Sequence, residues 1–111
     1  MSQYEFKESD WKLFRKKHEE WIESFLERCC SEYADILGSD KPAVDRFNEV
    51  AERIKNDSRK TEFAIRNSRE QMTANIFHLV ENDVIRIDDL EGFSEELQEY
   101  LKGIYDFLCH R

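Results

Sequence analysis

The sequence predicts an all-α fold, an elongated bundle of about four helices with a long N-terminal helix, on three observations. Trp11, Phe14, His18, Ile22, Phe25, Cys29, Tyr33 and Ile36 recur at steps of three, four, four and again three, four, four. This eleven-residue repeat is close to the true helical period, so one apolar stripe runs nearly straight along a single helix. Only 3 Gly and 1 Pro occur in 111 residues, too few for the tight turns of an all-β chain. Finally, 40% hydrophobic content with 13% aromatic residues is enough apolar material to build a core, unlike a disordered chain.

Each element follows in order. Ser9 is the expected N-cap of the first helix, Asp10 complements its dipole, and Gly38 stops it after Leu37. Twenty-eight residues span roughly 42 Å at 1.5 Å each. A round chain of this length would be only about 34 Å across, from a radius of gyration near 13 Å. The molecule is therefore elongated, or the overhang packs on a second copy. Ser39–Lys41 form a linker and Pro42 suits a first helical position. Val44, Phe47, Ala51 and Ile54, with Val50 beside them, mark a second helical stripe. The polar run Asn56-Asp57-Ser58 predicts a break near 57–60, with Thr61 capping a third helix that carries Ile65, Met72, Ile76, Leu79 and Val80 and ends near Asn82. One long helix over 42–82 is the alternative.

Val84-Ile85-Arg86-Ile87 reads as a short extended connector near 84–87, since no partner strand is evident. Asp88 with Glu91 has capping-box spacing and predicts a single turn through Leu90. Ser94 then caps a last helix bearing Leu97, Leu101, Ile104 and Leu108. With no internal repeat or interdomain linker, residues 1–111 read as one helical domain.

The net charge of -8 is unevenly spread. Residues 53–80 carry six bases against three acids, whereas residues 81–111 carry nine acids against three bases. The basic middle is expected to lie near acidic neighbours in the fold. A nucleic-acid-associated regulator using the basic 53–69 segment (Arg59, Lys60, Arg66 and Arg69) is the alternative, opposed by an overall charge that repels phosphate. The helix from Ile65 to Leu79 has a polar face able to read bases, but the Gly-free segment before it fits a helix-turn-helix poorly. The charged N-terminus lacks the apolar stretch of a signal peptide, and no run is long enough to span a membrane. Cys29, Cys30 and Cys109 show no paired spacing, so reduced thiols and a cytoplasmic setting are expected.

No motif specifies a reaction, and no enzyme activity, cofactor or metal is expected. His18-Glu19 begins like a zinc-protease helix, but Ile22 stands where the second His would be. None of His18, His78 and His110 has a Glu three residues earlier, which removes the di-metal bundle pattern. Glu19, Glu23 and Glu27 form a solvated carboxylate ladder whose mutual repulsion favours a basic neighbour. Cys109-His110 lacks the paired ligands of structural zinc, and isolated glycines build no phosphate loop. What stands out is aromatic: Trp11, Phe14, Trp21, Ile22 and Phe25 share one helix, the composition of an interface core as well as of a monomer core.

Two stretches, Asp10-Trp11-Lys12-Leu13-Phe14-Arg15-Lys16-Lys17 and Ile87-Asp88-Asp89-Leu90-Glu91-Gly92-Phe93-Ser94-Glu95-Glu96-Leu97, together with the order of elements between them, resemble a group of small, acidic, helical bacterial proteins that carry no assigned activity. The resemblance implies a bacterial origin and transfers no catalytic residue. The functional expectation is a small cytoplasmic helical protein that works through protein–protein interaction or self-association. A homodimer through Trp11, Phe14, Trp21, Ile22 and Phe25 is its most specific form.

Overall fold

A computed structural model describes residues 7–65 and 69–109. Four helices follow in order, α1 (Glu8–Leu37), α2 (Ala43–Ile65), α3 (Met72–Glu81) and α4 (Glu95–Cys109), with a 3-10 turn at Ile87–Leu90 and no strand among the described residues. The principal extents are 53 × 33 × 20 Å. α1 alone spans about 45 Å and sets the long axis, so the elongation expected from its length is present.

The core joins Trp11, Phe14, Trp21, Phe25 and Cys29 of α1 to Met72, Ile76, Leu79 and Val80 of α3. Val84 and Ile85 of the connector, Leu90 and Phe93 of the turn, and Leu97 and Leu101 of α4 close it. Phe14 stacks on Trp11 and meets Trp21 edge-on, and Trp21 stacks on Phe93, with centroids 6.0–6.1 Å apart. Two polar contacts fasten the N-terminal half of α1 to α4: the Lys7–Glu96 ion pair at 2.7 Å and the fully buried Asp10. The Asp10 carboxylate accepts from the Ser94 backbone N–H at 2.7 Å and from the Ser94 hydroxyl at 2.6 Å. Ser94 caps α4 as expected, its Oγ accepting from the Leu97 N–H at 3.2 Å. Gly92, at φ 98, turns the chain between the 3-10 segment and α4, a conformation that favours glycine.

Several boundaries differ from the sequence reading. α1 starts one residue before Ser9: Lys7 occupies the cap, its carbonyl accepting from Asp10 and Trp11, and Ser9 is an exposed helical residue. Pro42 precedes α2, its carbonyl accepting from the Arg46 N–H. The expected break at 57–60 is absent, as is a single helix over 42–82; α2 runs unbroken to Ile65. The Asn56-Asp57-Ser58 run stays helical, with the Asp57 and Ser58 side chains satisfied within the fold. Ser58 donates to the Ile54 carbonyl at 2.8 Å, Thr61 donates to the Ser58 carbonyl at 2.8 Å, and Asp57 is held by α1 and its own neighbours. Thr61 is thus a mid-helix residue and caps nothing. The capping interaction of the 3-10 turn sits two residues early, the Arg86 N–H donating to the Asp89 carboxylate at 2.8 Å in place of the expected Asp88–Glu91 pair.

Candidate functional site

α1 and α2 form an antiparallel hairpin whose register is set by Arg46 donating to the Leu37 carbonyl at 2.8 Å and by Arg53 paired with Glu32 at 2.5 Å. Phe47 is therefore level with Leu37, and Ile54 with Cys30. The seam between the helices is polar. Tyr33 donates to Asp57 at 2.6 Å, the Cys29 thiol shares hydrogen bonds with both, and Arg53 and Lys60 each lie 3.6 Å from the same carboxylate. Burial raises the Cys29 thiol, helped by the Asp57 charge. Burial and the bond to Asp57 also raise the Tyr33 phenol. Burial alone would raise Asp57; the bonds from Tyr33 and Cys29 and the two cations outweigh it and hold the carboxyl below its ordinary range. Arg28, Glu32, Asn82 and Asp83 line the cleft beside this cluster. Its chemistry is that of a register lock: a thiol pushed toward its protonated form is a poor nucleophile.

The sequence-predicted residues fall into two sets. Trp11, Phe14, Trp21 and Phe25 are covered by this chain's own α3, connector and α4, and Ile22 is half-buried. Within the chain they are core, with α3 and α4 supplying the apolar surface that covers them. Of the basic residues, Arg59 is exposed, Lys60 sits by Asp57, and Arg69 pairs with Glu8 at 2.7 Å while lying over the Trp11 ring. Arg66 lies outside the described residues. Lys60 and Arg69 are thus brought to carboxylates rather than assembled with Arg59 into one positive surface. Glu19, Glu23 and Glu27 are exposed.

The surface that stands open is the one the second stripe defines. Val44, Phe47 and Ile54 of α2 are 69%, 72% and 47% exposed, and Leu26 and Leu37 of α1 are 39% and 49% exposed. No apolar residue is fully buried among the described side chains of α2. Arg46, Val50, Arg53 and Asp57 face α1 instead. At about 100° per residue, Val44, Phe47, Ala51 and Ile54 lie about 110° round the helix from that set. On α1, Leu26, exposed Cys30 and Leu37 lie roughly 75° round, in the same sense, from Cys29, Tyr33 and Ile36, which face α2. Equal-handed offsets on antiparallel helices fall on one side of the pair. Leu26, Cys30, Leu37, Val44, Phe47 and Ile54 thus share a face, and none of them is charged. The aromatic core lies on the other side of the hairpin, where α3 and α4 stack.

All six positions are visible in the sequence, and the α2 stripe reads there as apolar. What no pattern revealed is that this stripe points away from the core. Among the described residues no helix is long and apolar enough to cross a membrane, and no cluster of His, Cys, Asp and Glu is placed to hold a metal ion. No family model, no curated protein and no solved structure matches this chain.

Proposed function

We propose that the chain is a self-associating helical protein of a bacterial cytoplasm, and that its working surface is the open face of the α1–α2 hairpin. One observation carries this reading: α2 presents Val44, Phe47 and Ile54 to solvent while Arg46, Arg53 and Asp57 face α1. A helical layer that is apolar on both sides belongs in the middle of a stack, and here only one side is covered. The open face exposes on the order of 500 Å² of apolar surface per chain, at the top of the range for the largest patch on a monomer. That is more than half of the ~800 Å² per partner that a standard interface buries. A second copy brings the same six uncharged side chains, with exposed Lys55 of α2 and Glu23 of α1 beside them.

Adjacent cysteines provide the test. Cys30 lies on the face and is exposed, whereas Cys29 is buried in the seam. Alkylation is followed by mass spectrometry with fragmentation, from low to high micromolar protein. The Cys30 rate is expected to fall as concentration rises, while Cys29 stays unreactive throughout. A Cys30 rate independent of concentration overturns the reading.

A further inference from the structure

Along the open face the side chains are unequal. At the hairpin tip, Phe47 and Val44 stand 72% and 69% exposed beside Leu37. Toward the core end, the small Cys30 sits level with Ile54 at 47% and is followed by Leu26 at 39%. The face is high at the tip and low at the other end. Beyond Leu26 the same side of α1 continues as Glu23 and Glu19, with Glu27 at its edge, all exposed. The tip carries Lys41, exposed and joined to Glu49 at 2.7 Å.

These features decide how a second copy lies. Facing hairpins laid tip to tip set α1 of one copy over α2 of the other, so each Phe47 meets the other copy's Leu37, the two high ends coincide, and a gap is left over Cys30 and Ile54. Voids forfeit packing contacts. Two hairpins laid tip to base, about a twofold axis near the level of Tyr33, remove this fault. Counting residues from that axis, Phe47 of one copy falls over Ile54 of the other, next to its Cys30. The tip with Lys41 falls beside Glu23 and Glu27. We infer that a second copy of this chain covers the open face in the antiparallel sense, each hairpin tip seated on the other copy's Cys30–Ile54 step with its Lys41 beside Glu23 and Glu27. This arrangement is isologous, so the same contacts form twice and the assembly closes as a dimer. It rests on the self-association reading and specifies its partner geometry.

Zero-length carbodiimide cross-linking of the wild-type chain tests it, using an equal mixture of isotope-labelled and unlabelled protein. Only mixed-isotope peptides report contacts between copies, and within one chain Lys41 lies about 20 Å along α1 from Glu27, too far for a zero-length bond. The expected result is a cross-linked dimer containing mixed-isotope peptides that join Lys41 to Glu23 or Glu27. A cross-linked dimer without those peptides, or with tip joined to tip, overturns the antiparallel arrangement while self-association stands. No cross-linked dimer at high micromolar concentration overturns both.

Discussion

Asp10 shows how much a single residue can hold that a sequence pattern does not advertise. Read from the sequence it is an acidic residue in a first helical turn, favourable to the dipole. In the structure it is the deepest buried charge, 1% exposed, and it bonds to Ser94 across 84 positions of sequence. Neither period nor composition signals such a pairing, because it depends on where two helix starts meet. Replacing Asp10 by Ala removes the acceptor of the half-buried Ser94 N–H and is expected to cost about 1.5–3 kcal/mol, the range for hydrogen bonds to charged groups. The check is a lower urea midpoint with an unchanged slope; a midpoint equal to wild type would show that the clamp contributes nothing. Residue-level reading did better with Ser94, whose capping role is local and so legible, and with His18. The latter packs on Phe14 and bonds to its carbonyl at 3.2 Å, as its place in the apolar stripe implied.

At the scale of elements, α2 carries the lesson. Its interior run Asn56-Asp57-Ser58 reads as a break because these side chains compete with backbone hydrogen bonds, and the competition is resolved by Tyr33 of α1 for Asp57 and by the helix's own Ile54 carbonyl for Ser58. Asp57 is the pivot. Its folded carboxyl lies below the ordinary value of 3.8, so its ionised form favours the folded state. That stabilisation is fully present above about pH 4 and is lost as the pH falls through the lower folded value. Urea midpoints between pH 6 and pH 2 are expected to decline more steeply below pH 4 for wild type than for Asp57→Asn, which lacks the titrating group. Parallel declines would remove Asp57 from the account. The variant should also be less stable at neutral pH, because Tyr33 and Cys29 then face a weaker acceptor. The apolar period of α1 and α4 located those helices directly. The α2 stripe was equally plain, but periodicity states that a face is apolar and not what covers it.

For the whole molecule, the helix-length argument held in its first form: α1 is longer than a round chain is wide, and the molecule is drawn out to 53 Å. The aromatic residues that seemed suited to a second chain became the core. The overhanging half of α1 pairs instead with α2, so the open apolar face moved from the aromatic stripe to the outer side of the hairpin. This outcome needed the third dimension, since whether α3 and α4 stack on one side of α1 or the other is a matter of packing and not of pattern.

The central claim is that this outer face joins two copies. Its most direct test is light scattering coupled to size-exclusion chromatography on the wild-type chain and on Phe47→Glu, over a wide concentration range. Phe47 is 72% exposed, so the substitution should leave helicity essentially unchanged while placing a charge on the face. The account predicts a wild-type mass near twice 13.4 kDa and a variant mass near 13.4 kDa. A wild-type monomer at every concentration, or a Phe47→Glu dimer as stable as wild type, would contradict it.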